Sequence, residues 1–297
     1  MHYVSIIEIG STSITCTICK KEKGLWCTVA RKKAKVQLVD RLSRQSILLD
    51  RGIKKISWAL QQFKKVEEAY VCRGSFVFAT GVLRLAKNRF AIVEEIKKKL
   101  HITIHILSGH VEAALGYLAL KDKTVLDQGV LVDTGGASTE LTVISQSRPA
   151  YFHSYSFGAS TLSKQFFHQT SIDWRYFVDQ LKENLKWTMQ KMLNTESFST
   201  LVTIGDPHYF LQNQETEEVL SGGDLRQQLL ELVEKDYESY RHLGWIPKHR
   251  MPSFKGGLLP LLAVIEVFPI NSILCKQLTI TEGIITALNV KTNTLSL

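Results

Sequence analysis

The chain has 297 residues, enough for one large domain or two of ordinary size, and its 44% hydrophobic and 22% charged residues are typical of a soluble globular protein. Its net charge of +9 is divided unevenly, because residues 1–121 carry +13 and residues 122–297 carry −4. The basic first half indicates an anionic partner, with a solvated basic surface as the alternative. The sequence has no helix-turn-helix, zinc-finger or RNA-binding aromatic signature, so we do not expect nucleic acid as that partner.

The sequence carries no signal for export, membrane insertion or disulfide bonding. The first residues run directly into a strand-like pattern, so we expect no secretory signal peptide. The most apolar later stretch, Gly257 to Phe268, is too short to span a bilayer and predicts a buried helix. Cys16 and Cys19 resemble half of a zinc site, but no second pair follows. We therefore expect reduced cysteines in a cytoplasmic protein that does not bind a membrane.

The first predicted strand leads into a loop of small residues. Residues 3–50 alternate apolar and polar side chains, which predicts several strands, and the first of them ends in Glu8-Ile9-Gly10-Ser11-Thr12-Ser13. A turn between two strands can aim consecutive backbone N–H groups into one concavity, which suits a phosphate. We therefore expect Gly10, Ser11, Thr12 and Ser13 to form a phosphate-binding loop.

The next segments alternate between helical and extended patterns. Ile53 to Lys65 has helical periodicity, whereas Ala69 to Ala79 is strand-like and runs into a second helix with Arg84 in its first turn. There Arg84 could meet an anion, although an ordinary surface arginine fits the sequence equally well. Phe90 to Leu100 is predicted to be an amphipathic helix, and Ile102 to Leu107 a short strand.

A further helix begins after Ser108, which is a good N-cap residue and places Glu112 near the first turn. A carboxylate at that position is favoured by the helix dipole. The same carboxylate could also orient and deprotonate an attacking water molecule, with His110 as an assistant. The residue pattern alone does not distinguish between these two interpretations of Glu112.

The acid-and-small-residue pattern occurs a second time, after a polar segment near Ala119–Gly129. An apolar run ends in Asp133, which could hold a divalent cation, and is followed by a turn. We expect Gly135 and Gly136 to be free to adopt positive φ in that turn. The predicted phosphate-binding residues here are Gly135, Gly136, Ala137, Ser138 and Thr139. The recurrence predicts a duplicated domain whose two loops face one cleft.

The remaining segments continue the alternation of strands and helices. Predicted helices cover Phe177 to Met192 and Leu225 to Tyr240, a strand covers Leu201 to Ile204, and Leu278 to Ile285 leads into a final helix. This alternation favours an α/β fold of two domains, residues 1–121 and 122–297.

These blocks together resemble the Ppx/GppA family of exopolyphosphatases and guanosine pentaphosphate phosphohydrolases, within the actin/hexokinase/Hsp70 superfamily. The residues from Glu8 to Ser13 and from Asp133 to Glu140 are similar to the family's two phosphate loops, and the segment Ala79 to Asn88 is similar to its arginine motif. The block from Ser108 to Ala113 is similar to the one with the catalytic glutamate. The resemblance covers nearly the whole chain and implies two duplicated actin-like, ribonuclease H-like domains with a cleft between them, without extra C-terminal domains. The last helix is then expected to pack back on the first domain.

The resemblance implies roles for the residues that match. Glu112 would be the catalytic base, Arg84 would bind phosphate during catalysis, and Glu8 and Asp133 would hold Mg²⁺ or Mn²⁺. The substrate would be polyphosphate or guanosine pentaphosphate (pppGpp), which would connect the protein with the stringent response. Family members often dimerise, so a homodimer is among the states that the resemblance allows.

Several positions depart from the family pattern. Glu8 replaces an Asp, which adds a methylene, and Ala137 replaces a Gly, where a positive φ would cost free energy. The glycine-rich stretch of the second domain is reduced to Ile204-Gly205-Asp206-Pro207, and Pro252 stands where the family has an Asp. These departures motivate an alternative function, a catalytically weak member that binds a phosphorylated ligand as a sensor. A sugar or acetate kinase of the same superfamily ranks third.

Overall fold

A computed structural model of the protein describes residues 2–168, 173–193, 198–205, 220–242, 246, 248 and 250–294. The chain divides into two units: unit 1 comprises Met1–Asp122 and Ile280–Leu297, and unit 2 comprises Lys123–Thr279. The final segment of the chain therefore belongs to unit 1.

Unit 1 is built around a five-stranded mixed sheet. Its strands are β1 (Tyr3–Ile9), β2 (Ser13–Glu22), β3 (Leu25–Lys35), β4 (Ser75–Ala79) and β5 (Ile104–Ile106). The spatial order is β3-β2-β1-β4-β5, with β1–β2 and β2–β3 antiparallel and with β4 and β5 parallel to β1. The parallel pairs require helical crossovers, so helices cover the sheet.

The helical segments of unit 1 flank that sheet. They are a 3-10 helix (Leu38–Arg41), α1 (Asp50–Ala69), α2 (Gly81–Leu85), α3 (Arg89–Leu100), α4 (Gly109–Lys121) and, from the end of the chain, α10 (Ile280–Thr294). Helix α1 buries Ile56, Ala59, Leu60 and Phe63, which recur at helical spacing and form one apolar stripe. The predicted strand over Ala69–Ala79 was too long, since α1 continues to Ala69.

Helix α10 packs against α4 at very short range. A Cβ atom on Gly283 would lie 1.9 Å from the carbonyl oxygen of Leu115, so only glycine permits this approach. Ile280 joins Ile6 and Phe78 in a small buried cluster of unit 1. The last helix is thus an integral part of the core of the first unit.

Unit 2 contains a six-stranded sheet in the order β10-β11-β9-β6-β7-β8. Its strands are β6 (Gly129–Thr134), β7 (Thr139–Ser145), β8 (Arg148–Tyr155), β9 (Thr200–Ile204), β10 (Leu220–Ser221) and β11 (Ser272–Lys276). Its helical segments are α5 (Ala159–Ser163), a π-helical turn (Lys164–His168), α6 (Trp174–Leu193), α7 (Gly222–Glu234), α8 (Tyr237–Arg241) and α9 (Met251–Val267).

The core of unit 2 surrounds α9, which is apolar on nearly every side and buried from Phe254 to Val264 as the sequence predicted. The single helix predicted over Leu225–Tyr240 was wrong. The structure has two helices there, because Asp236 caps α8 by accepting a hydrogen bond from the amide of Ser239 at 2.7 Å.

The two sheets share one internal design, as the duplicated motif predicted. In the β1–β2 hairpin Glu8 pairs with Thr15, and in the β6–β7 hairpin Asp133 pairs with Glu140, which is the same register in both units. In each unit the strand that carries the acid also has a parallel neighbour, β4 or β9. Among the described helices, none is both long and apolar enough to cross a membrane.

The close approach of α10 to α4 yields a test of the fold. We expect Gly283→Ala to lower the free energy of unfolding of unit 1 by about 1–3 kcal/mol, because the new methyl group displaces one helix from the other. Urea denaturation followed by far-UV circular dichroism measures the change.

The matched control is Gly74→Ala, the same substitution elsewhere in unit 1, where the added Cβ would lie 3.9 Å from Val4 Cγ1 in ordinary contact. Equal stability losses in both variants would contradict the packing argument.

Candidate active site

The first predicted phosphate loop is a tight turn whose carbonyl groups are fixed. The Gly10 amide donates to the Ser13 carbonyl at 3.0 Å, which closes the turn between β1 and β2. The Thr12 carbonyl accepts from the amides of Val36 and Gln37, both at 3.0 Å. Because a trans peptide directs its C=O and N–H to opposite sides, these bonds also fix where the loop N–H groups point.

The second loop has the same closure. The Gly135 amide donates to the Ser138 carbonyl at 3.0 Å, as Gly10 does to Ser13. The Gly135 carbonyl accepts from the amide of Ala159 at 2.8 Å, and the Gly136 carbonyl accepts from the amide of Ser160 at 3.0 Å. The first amides of α5 are therefore used to hold the loop.

Gly158 makes this arrangement sterically feasible. A Cβ atom at position 158 would lie 2.4 Å from the Gly135 carbonyl oxygen and 2.7 Å from the amide nitrogens of Ala137 and Ser138. Gly158 lies 22 residues after Gly136 in the sequence, outside the loop itself. Its packing against the loop is a constraint that no local pattern in the sequence reveals.

The expectation of positive φ in the second loop was wrong. Among the described residues, the glycines with positive φ are Gly24 and Gly205, and neither Gly135 nor Gly136 is in the left-handed region. Ala137, which is fully buried, is not in that region either. The loop is held by hydrogen bonds from α5 instead, so alanine at 137 carries no backbone strain.

Two predicted side chains of the second loop are engaged inside unit 2. Ser138 and Thr139 are both buried. The Ser138 hydroxyl donates to Glu140 Oε2 at 3.4 Å, and the Thr139 hydroxyl donates to the Phe157 carbonyl at 2.9 Å. Their side chains therefore support the hairpin.

Asp133 lies near the end of β6 and is partly exposed, in agreement with its predicted place. The next residue, Thr134, has a buried hydroxyl without a hydrogen-bond partner among the described residues. Gly205, with φ of 102°, packs beside it, since a Cβ there would lie 2.7 Å from the Thr134 carbonyl oxygen. The altered residues Asp206 and Pro207 lie outside the described part of the chain.

In unit 1, Arg84 and Glu112 form a hydrogen-bonded ion pair between α2 and α4. Ser108 caps α4 by accepting from the amide of Val111 at 3.3 Å, as predicted, and this places Glu112 in the first turn. Arg84 Nη1 also donates to the Leu107 carbonyl at 3.2 Å. Arg84 is therefore not an ordinary surface arginine.

The pair is largely removed from water, with Glu112 only 5% exposed. Burial raises the pKa of Glu112, while the positive charge and hydrogen bond of Arg84 oppose the rise. Strongly perturbed carboxylates of this kind are concentrated at functional sites.

Glu8 belongs to the same electrostatic cluster of unit 1. Burial and then repulsion from Glu112 raise the pKa of Glu8 to about 7. The Thr281 hydroxyl donates to Glu8 Oε2 at 3.4 Å. This hydrogen bond and the positive charges of Lys33 and Arg31 oppose the rise in the pKa of Glu8 without cancelling it. Thr281 was missed by the sequence analysis because it lies at the other end of the chain.

The carboxylates present suit a divalent cation that also binds phosphate. No group of three or more His, Cys, Asp or Glu that could hold a metal occurs in the described ranges. Mg²⁺ is commonly bound by one or two carboxylates together with substrate phosphates, and oxygen is the ligand that it prefers. Glu8 fits this chemistry, since a cation would relieve its repulsion by Glu112.

The repeated sheet and hairpin define the class of protein, a two-unit actin-like fold of ribonuclease H-like units. The model of the Ppx/GppA phosphatase family matches residues 17–291. The chain belongs to this family.

Solved structures confirm the fold. A Ppx/GppA family member from Aquifex aeolicus has a TM-score of 0.78 at 20% identity, with 98% of this chain and 99% of that chain covered. An exopolyphosphatase from Cytophaga hutchinsonii has a TM-score of 0.80 at 15% identity, with 98% of each chain covered.

A sequence relative of unassigned function was also found. An uncharacterised protein of Streptomyces coelicolor is 24% identical over 164 residues, which is 54% of this chain. The matched region covers 49% of that protein, so the chain spans about half the length of this curated relative.

The raised pKa of Glu8 predicts how stability depends on pH. A glutamate whose pKa is higher in the folded state stabilises the fold at low pH, and this contribution is lost as the pH rises from about 4.5 to about 7. We expect Glu8→Gln, compared with the wild type, to gain about 1–3 kcal/mol in free energy of unfolding between pH 5 and pH 8. Urea titrations in EDTA at several pH values measure this difference.

Glu68→Gln, the same change at an exposed site of α1, controls for the loss of one carboxylate. A constant difference between wild type and Glu8→Gln across the pH range would show that Glu8 is not perturbed.

Proposed function

We propose that the protein is a metal-assisted phosphoanhydride hydrolase that releases terminal phosphate from inorganic polyphosphate or from pppGpp. Membership of the Ppx/GppA phosphatase family supports hydrolysis of a phosphate compound. The single observation that carries the proposal is the ion pair of Arg84 with the buried carboxylate of Glu112. The proposal assigns Glu112 as the proton acceptor and Arg84 as the phosphate-binding cation.

In this proposal Glu112 is the general base. It orients a water molecule and accepts its proton as the water attacks the terminal phosphorus in line with the leaving oxygen. A general base is most effective when its pKa lies near the working pH, and burial shifts the pKa of Glu112 in that direction. The first-turn position on α4 keeps the carboxylate at a fixed place.

Arg84 is assigned to the phosphate. A guanidinium group presents several N–H donors in one plane and matches phosphate oxygens, and its charge stabilises the transferred group. Its hydrogen bond to the Leu107 carbonyl restricts its orientation before any ligand arrives. The further phosphate ligands of the proposal are backbone N–H groups of the two loops, residues 10–13 and 135–139, other than the amides of Gly10 and Gly135, which close the turns.

Glu8 is the proposed carboxylate ligand of a divalent cation, Mg²⁺ or Mn²⁺, in unit 1, and Asp133 is the corresponding candidate in unit 2. When bound, the cation would neutralise charge on the transferred phosphoryl group. Because burial raises the pKa of Glu8 to about 7, we infer that its capacity as a ligand falls as the solution becomes more acidic.

A sensor without useful catalysis is the second candidate. The buried hydroxyls of Ser138 and Thr139 favour it, because side chains already bonded inside unit 2 are withdrawn from a substrate. Such a protein would bind the phosphorylated ligand and release no phosphate.

Phosphate release from long-chain polyphosphate and from pppGpp, with Mg²⁺ or Mn²⁺, tests the proposal. We expect the wild type to release phosphate and Glu112→Gln to lose about 10²–10⁴-fold in turnover, because the amide cannot accept the proton. The faster of the two substrates identifies the activity. Far-UV circular dichroism verifies that the variant is folded.

Glu68→Gln serves again as the exposed control and should keep wild-type turnover. Equal activity in Glu112→Gln and the wild type would exclude Glu112 as the base. Retained binding without phosphate release by the wild type would establish the sensor instead.

A further inference from the structure

Strand β3 carries a regular row of cations on one face. It is an edge strand of the unit 1 sheet, paired only with β2. Arg31, Lys33 and Lys35 alternate with other residues along it, so their side chains share a face, and all three are exposed. Neighbouring members of the row are about 7 Å apart along the strand.

The strand register connects this row with the candidate site. Lys35 lies opposite Ser13, the last residue of the first loop, and Lys33 lies opposite Thr15. Thr15 in turn lies opposite Glu8, so Lys33, Thr15 and Glu8 form one line across three strands. With about 4.8 Å between strands, the backbone of Lys33 is about 10 Å from that of Glu8, which a lysine side chain largely spans.

The same register fixes the direction of the row. Arg31 lies opposite Thr17, farther along β2 from the loop than Thr15. The row therefore begins at the loop with Lys35 and continues past the acid cluster toward Arg31.

The positive charge of the row is mostly uncompensated. Arg31 lies 3.7 Å from Glu282 of α10, but both side chains are partly exposed to water, which weakens the pair. Lys33 and Lys35 take part in no ion pair with any residue that the structure describes. Like charges on one face of a strand repel one another, and an anion bound along the row would relieve that repulsion.

We propose that Arg31, Lys33 and Lys35 form a binding track for linear inorganic polyphosphate, which holds the phosphates behind the terminal one. This inference rests on the proposed function and specifies its substrate class. Evenly spaced point charges suit a polymer with a charge on every repeat, whereas a nucleoside base requires stacking surfaces or directional hydrogen bonds.

The proposed track implies that the length of the bound polyphosphate determines which of these side chains contact it. A short anion such as tripolyphosphate is held at the loops, and only a longer chain reaches Lys33 and Arg31. Binding of long-chain polyphosphate and of tripolyphosphate is therefore measured by isothermal titration calorimetry at several salt concentrations. The double variant Lys33→Gln/Lys35→Gln is compared with Lys23→Gln/Lys32→Gln.

The second double variant is a matched control. It removes the same charge from the same hairpin, but Lys32 points to the opposite face of β3 and Lys23 lies in the turn before it. We expect the track variant to lose about tenfold or more in affinity for long chains. The slope of the logarithm of affinity against the logarithm of salt concentration should become less steep by about one to two, because two charges that contact phosphate are removed. The control should change by less than about twofold. In the track variant, tripolyphosphate affinity should fall less than long-chain affinity, because only Lys35 of the two lysines lies opposite the loop. Lys33→Arg/Lys35→Arg should retain long-chain binding, which separates charge from an effect on folding.

Equal losses in the track and control variants would show a general charge effect and overturn the track. Equal losses for tripolyphosphate and long chains would place the lysines at the loop itself and overturn it as well. The proposed function fails separately, if the wild type binds long chains but releases no phosphate. Phosphate release that is unaffected in KM by Lys33→Gln/Lys35→Gln would refute the track alone.

Discussion

A carboxylate that is withdrawn from water needs a partner, and the pairing of Glu112 with Arg84 meets this requirement in unit 1. The pair ties the first turn of α4 to the short helix α2, and through Leu107 to the end of the strand before α4. Glu8 experiences the same cluster, since the charge of Glu112 contributes to its raised pKa. Arg84 and Glu112 therefore hold each other in place, and the charge of Glu112 also affects the protonation of Glu8.

The sequence alone predicted the features that depend on residues close together in the chain, and it predicted the repeated fold. The acid of each loop lies at or near the end of a strand, Ser108 caps α4, and the fold of two duplicated units is confirmed. It was insufficient where distant segments decide the geometry. The conformation of the second loop is set by amides of α5 and by the absence of a side chain at Gly158, and nothing within the loop itself indicates this.

Duplication has preserved the hairpin but not its surroundings. Both loops are closed by the same amide-to-carbonyl bond, yet different segments hold their carbonyl groups: residues just after β3 in unit 1 and the start of α5 in unit 2. One hairpin extends into a basic edge strand, whereas Ser138 and Thr139 of the other are buried. The two hairpins thus share a backbone conformation but differ in the side chains around them. The shared conformation explains why the repeat could be recognised in the sequence, whereas the different surroundings of the two loops could not.

The membership of α10 in unit 1 has a consequence for how the chain is made. Residues 123–279 are in effect inserted into unit 1, whose last helix leaves the ribosome only after all of unit 2. Until then the space beside Leu115 that Gly283 fills remains empty, and Glu8 lacks the hydroxyl of Thr281. The acid cluster is therefore completed only after Thr281 has been synthesised, so a nascent chain carries the loop from Gly10 to Ser13 long before the surroundings of Glu8 are complete.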